Sequence, residues 1–101
     1  MNISKTIEGS KTIIAIEGWL DVQTTPELSA YMETLEETKE LVFDFAKLEY
    51  ISSMGIREVV ATYRRQKSAE GTFKIINVSA DVYDVFAMTS IDKKIDIEMA
   101  Q

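Results

Sequence analysis

Tyr50-Ile51-Ser52-Ser53-Met54-Gly55-Ile56-Arg57 is the stretch on which the fold turns. It opens as a strand, and from Ile56 onward apolar residues recur at Ile56, Val59, Val60 and Tyr63, the i, i+3, i+4, i+7 spacing of one helical face. Polar or charged Arg57, Glu58, Arg64, Arg65 and Lys67 fall away from that face, and Glu70-Gly71 supplies the stop. Strand, loop and helix therefore follow one another without a linker, which is the unit from which α/β layers are built.

Upstream, Asn2 to Ile7 reads as a strand, Glu8-Gly9-Ser10-Lys11 as a turn, and Thr12 to Glu17 as a second strand rich in β-branched residues, so the chain opens with a hairpin. Thr24-Thr25-Pro26-Glu27 combines capping hydroxyls, an early proline and a first-turn carboxylate, which together start a helix. Leu28, Tyr31, Met32 and Leu35 give that helix its apolar face, with Glu33, Glu36 and Glu37 on the wet side. Leu41 to Ala46 is a short apolar run of the kind covered on both faces, and its one charge, Asp44, calls for a partner among nearby backbone N–H groups.

Downstream, Thr72 to Val78 is β-rich, and Ser79 or Asp81 caps a third helix whose inner face is Val82, Val85 and Phe86. Ile95 to Ile97 is a final short strand. Strands alternating with helices after a hairpin predict an α/β fold: one domain over residues 1–101, with a mixed, mostly parallel sheet flanked by helices.

Composition narrows the function. Eleven basic residues against seventeen acidic ones leave a net charge of −6, which opposes the counterion-release attraction that dominates nucleic-acid binding and repels anionic membranes. Cysteine and histidine are absent, removing disulfides, thiolate nucleophiles, Cys/His zinc sites and imidazole general bases. The first residues do not form a charged segment followed by an apolar run, and no stretch approaches a membrane span. The expectation is a cytoplasmic protein that neither inserts in a membrane nor binds nucleic acid directly.

Ser52 and Ser53 lie where a strand gives way to a helix, beside unpaired backbone N–H groups and the positive end of the helix dipole. Either one of them is simply an N-cap, or the position receives a phosphate. A nucleophilic serine needs a base, and neither histidine nor a Gly-x-Ser-x-Gly pattern is present. Asp21, in Gly18-Trp19-Leu20-Asp21, emerges at the same sheet edge, either to line a site with the serines or to bond its own turn. All three arginines, Arg57, Arg64 and Arg65, fall in the second helix, where they form a solvated face, a charged contact surface or, for Arg57, a partner for a phosphoserine at Ser53. Trp19, the single tryptophan, reads as a loop anchor, or as a binding hot spot if exposed. An alternative from another class is a small metal-dependent hydrolase or nucleotide-binding enzyme using Asp21, Asp44 and the serines on one face, although no phosphate-binding loop motif accompanies them.

Gly18-Trp19-Leu20-Asp21 before the first helix, Leu48-Glu49-Tyr50-Ile51-Ser52-Ser53-Met54-Gly55-Ile56-Arg57 into the second, and Asn77-Val78-Ser79 followed by Val82-Tyr83-Asp84-Val85-Phe86 together resemble the STAS family of anti-sigma factor antagonists across nearly the whole chain. The resemblance implies a non-enzymatic switch in bacterial transcription regulation. The unphosphorylated protein captures an anti-sigma factor/serine kinase, phosphorylation of a serine breaks the complex, and a phosphatase is a further partner. The family's phosphorylation motif is commonly Asp-Ser-Ser-Gly, which puts the acceptor at Ser53, its glycine at Gly55, and its earlier acidic residue at Asp21. Ser52 replaces the motif's aspartate and Met54 its second serine, so Ser52 is an alternative acceptor. Asp21, Ser52, Ser53, Met54, Gly55 and Arg57 are the residues expected to meet the partner, with no cofactor and no metal. A STAS accessory subunit of a membrane transporter or stress-signalling assembly is the alternative within the same fold. The sequence ends soon after Ile97, where many family members continue into a final helix, so contacts supplied by that helix are expected to be missing.

Overall fold

Gly9 and Ser10 turn the chain back between β1 (Asn2–Glu8) and β2 (Lys11–Leu20), with Gly9 in the left-handed region at φ 64° that a two-residue hairpin turn requires. The computed structural model describes residues 1–100. After the hairpin come α1 (Thr25–Glu33), β3 (Glu40–Asp44), β4 (Leu48–Ile51), α2 (Ser53–Ser68), β5 (Thr72–Val78), α3 (Ala80–Met88), a 3-10 turn at Ile91–Lys93 and β6 (Asp96–Met99). The sheet runs β1-β2-β3-β5-β6, with β4 paired to β2. Only β1 against β2 is antiparallel; the other pairings are parallel. This is the single α/β domain with a mixed, mostly parallel sheet that the pattern predicts.

The core follows from the period-2 alternation of the strands. Thr12, Ile14 and Ile16 of β2 are buried while Ile13, Ala15 and Glu17 between them are half-buried. Ile14 pairs with Phe43 and Phe43 with Ile75, and this row across three strands is completely buried. Leu28 of α1, Val59 of α2 and Val82 and Phe86 of α3 close over it in one continuous cluster. Phe43 meets Phe73 edge-on at 5.0 Å between centroids, and Phe45 stacks with Phe86 at 6.4 Å.

The opposite face of β3 departs from the expected covering on both sides. Val42 there is buried, but Asp44, in register with Ala15 and Ile76, is half-buried. Its Oδ1 accepts from the Ala46 N–H and from the Asn77 side-chain amide, each at 3.0 Å. Asp44 thus bonds the backbone of its own turn and a side chain at the end of β5, not a neighbouring loop's backbone.

Several boundaries also shift. Strand β2 continues through Gly18 to Leu20 because β4 takes over as its partner at a register shift, where Gly18 adopts φ 94° and donates to the Lys47 carbonyl at 2.9 Å. Helix α1 stops at Glu33, leaving Leu35 in the following loop. Thr24 precedes α1 without a side-chain cap bond, because its hydroxyl is used in the preceding turn. At the end of α2 the positive φ belongs to Glu70, at 61°. Gly71 is required for another reason: a Cβ there would sit 2.8 Å from the Lys39 carbonyl oxygen. The third helix takes Ser79, not Asp81, as its cap, with Oγ accepting from Val82 N–H at 3.3 Å. Among the described residues no helix is long and apolar enough to cross a membrane.

Candidate functional site

Parallel strands deliver their following loops to the same sheet edge, and this is how two distant segments meet. Leu20 of β2 and Ile51 of β4 are register partners, so Asp21 and Ser52 leave the sheet side by side. The Ser52 N–H donates to the Leu20 carbonyl at 2.9 Å, continuing the ladder into the loop.

From there the chain turns into α2 over Ser52 and Ser53. Ser52 is extended at φ −94°, ψ 174°, and its Oγ accepts from the Gly55 N–H at 3.3 Å, the geometry of an N-cap. Ser53 is the first residue of the helix and is exposed. The two serines therefore differ: Ser52 satisfies an orphan donor of the first turn, and Ser53 is exposed to solvent. The free N–H groups of the first turn and the helix dipole favour negative charge there.

Gly55 is fixed by close approach. A Cβ at this position would lie 2.8 Å from Ile51 Cγ1 and 2.9 Å from the Leu20 carbonyl oxygen. The glycine lets the first turn of α2 press onto the ends of β2 and β4. Met54 beside it is 37% exposed, and Arg57, one turn on from Ser53, is exposed as well.

The Asp21 carboxylate folds back on its own turn. Its Oδ1 accepts from the N–H groups of Gln23 at 2.9 Å and Thr24 at 3.0 Å. The Thr24 hydroxyl accepts from the Asp21 N–H at 2.8 Å and donates to the Trp19 carbonyl at 2.7 Å, with Asp21 Oδ1 at 3.1 Å. These bonds hold the carboxyl below the usual aspartate value. The Thr24 N–H is the largest cause, partial burial acts in the opposite sense, and the Thr24 hydroxyl and Gln23 N–H add to the lowering. Asp21 is thus both a turn residue and a neighbour of the serine loop.

Tyr50 escapes a reading of the sequence, and so does its meeting with Trp19, which the sequence offers as a hot spot if exposed. Trp19 is not a loop anchor but the penultimate residue of β2, 55% exposed, and it packs on Tyr50, 45% exposed, with ring centroids 5.0 Å apart. Their juxtaposition comes from the β2–β4 register, which no local pattern records. With Val22 and Met54, they place four exposed apolar side chains on the two segments flanking Ser53. A pair of large exposed aromatic groups such as Trp19 and Tyr50 marks a contact surface.

Asp44 pairs with Ala15, six residues before Asp21 along β2, or about 20 Å at strand rise, so Asp44 does not join Asp21 and the serines at this edge. Among the described residues no group of three or more carboxylate, histidine or cysteine ligands converges anywhere.

The STAS domain family matches residues 2–100. Among solved structures, the chain resembles an anti-sigma factor antagonist from Mycobacterium paratuberculosis at TM-score 0.87 and 19% identity, covering 96% of this chain and 84% of that one. It resembles the anti-sigma factor antagonist SpoIIAA in its unphosphorylated form at TM-score 0.81 and 18% identity, covering 95% and 87%. A sulfate transporter family protein from Wolinella succinogenes matches at TM-score 0.80 and 14% identity, covering 93% and 80%. No curated protein sequence matches the chain. At these identities the structural likenesses establish the fold.

Proposed function

The chain belongs to the STAS domain family, and from that premise we propose that it is an anti-sigma factor antagonist, a non-enzymatic binding module switched by phosphorylation of Ser53. In this reading the unphosphorylated protein holds an anti-sigma factor/serine kinase against the edge formed by Asp21, Ser52, Ser53, Met54, Gly55 and Arg57, and transcription is regulated indirectly. The observation that carries it is the division between the serines: Ser52 Oγ is engaged as the cap of α2 while Ser53 is exposed at the helix start. A kinase reaches Ser53 without unmaking the cap.

The energetics favour a switch at this point. A phosphate adds about −1.5 to −2 charges, which the helix N-terminus of the free protein tolerates. The same dianion buried in an interface without a paired cation costs several kcal/mol, enough to dissolve a micromolar complex. The exposed apolar side chains Trp19, Val22, Tyr50 and Met54, on the two segments that meet at this edge, are the contact area in this reading.

The test is a pull-down from the source cell with wild type, Ser53→Ala and Ser53→Asp, folding checked by circular dichroism and partners identified by mass spectrometry. A serine-kinase-like protein retained by wild type and Ser53→Ala and lost with Ser53→Asp is the expected result. A transporter or a stress-signalling scaffold retained equally by all three replaces this reading with that of an accessory subunit.

A further inference from the structure

At the far end of α2 from Ser53, a groove of about 710 Å³ lies between this helix and the end of α1. Its floor includes Met32 and Leu35, which are only partly buried against the core. One wall, in the loop after α1, carries Glu36 and Glu37; the other, on the last two turns of α2, carries Arg64 and Arg65. All four charges are exposed, and three of them, Glu36, Glu37 and Arg64, join no ion pair among the described residues, where the pairs are Arg65 with Glu58 and Lys74 with Glu98. The two walls stand on either side of a floor that mixes apolar Met32, Leu35 and Leu41 with polar Thr38, Thr62 and Gln66, and only Arg65 of the four charges is paired.

A groove with a partly apolar floor, one acidic wall and one basic wall is complementary to itself. Under a two-fold axis running along the groove, the acidic wall of one copy meets the basic wall of the other at both sides, and the two floors meet in the middle. An axis running across the groove sets like charge against like. We propose that this α1–α2 groove is a self-association surface occupied by a second copy of the chain in that orientation. Both copies then keep α2 pointing the same way. The contact lies roughly 14–22 Å along the helix from Ser53, so both Ser53 ends remain open at one end of the dimer. Two switch sites on one particle bind a multivalent partner with avidity. The inference stands on the groove alone and does not require the antagonist reading.

Sedimentation of the purified chain tests it. The weight-average mass is expected to rise with concentration from the 11.4 kDa of one chain toward twice that value, and to fall back as salt is added. Arg64→Glu alone and Glu36→Lys/Glu37→Lys alone are each expected to weaken self-association by about tenfold or more, since each sets like charges opposite one another. Mixing the two variants is expected to restore a heterodimer, because position 64 of each copy then again faces positions 36 and 37 of the other with opposite sign. A chain that stays monomeric to about 1 mM, a dimer indifferent to either reversal, or a mixture that fails to recover overturns the proposal. The three positions substituted are exposed, and circular dichroism of each variant confirms folding.

Discussion

The backbone N–H of Ser52 donates to the carbonyl of Leu20 at 2.9 Å, and this bond joins the end of β2 to the start of α2 across 32 positions of the chain. It carries the β2–β4 pairing one residue past Ile51 and places the start of α2 against the Asp21 turn. The same carbonyl oxygen would lie 2.9 Å from a Cβ on Gly55, so strand end, cap and helix start form one rigid unit.

Gly55→Ala should therefore destabilise the protein, although alanine is the better helix former by ~1 kcal/mol. The added methyl has no room between Ile51 Cγ1 and the Leu20 carbonyl, and overpacking of this kind costs about 1–3 kcal/mol. Urea unfolding measures it, and a midpoint equal to or above that of wild type contradicts the geometry.

The two serines should separate in the same experiment. Ser52→Ala removes the N-cap of α2 and is expected to cost about 1 kcal/mol. Ser53→Ala changes an exposed side chain and should stay within about 0.5 kcal/mol of wild type. Equal losses at both positions would show that the capping role is shared.

Asp21 makes stability pH-dependent in a direction that can be stated. Its carboxyl is held below the usual value of 3.8 in the folded protein, chiefly by the Thr24 N–H. A depressed folded value means that the stabilisation is fully present above the unfolded value and is lost as pH falls through the folded one. Carbon-detected NMR titration should find Asp21 ionising below 3.8, and Asp21→Asn should lose less stability than wild type on acidification through this range. A carboxyl titrating above 3.8 contradicts the assigned turn.

Trp19 reports on the proposed interface. As the only tryptophan in the sequence and 55% exposed, it should emit at a long wavelength and be readily quenched by acrylamide in the free protein. On partner binding it should shift to the blue and become protected. Trp19→Ala and Tyr50→Ala are expected to weaken capture by tenfold or more, as buried aromatic anchors do. Unchanged emission and quenching in the complex would place the partner elsewhere.

In the core, Phe43→Ala should cost about 3–5 kcal/mol. Phe43 is completely buried in the row with Ile14 and Ile75 and packs edge-on against Phe73. Thermal or urea denaturation checks this, and loss of partner capture in that variant reports loss of fold, not of regulation.

The sequence by itself determined what is local. The period of the apolar residues laid down the hairpin, the three helices and the parallel strands, and a serine before Gly55-Ile56-Arg57 marked the helix start that became the candidate site. Asp21 and the serines also proved legible as neighbours, because parallel strands bring their following loops to one edge whatever the details of pairing. Only the tertiary structure decided which serine caps and which is exposed, since both satisfy the same local preference and the choice depends on how Gly55 docks against Leu20 and Ile51. It also decided that Trp19 and Tyr50 meet on the surface and that Glu36, Glu37 and Arg64 line one groove. Register and helix docking are set by long-range packing of buried side chains, and such contacts leave no period or spacing in the chain that makes them.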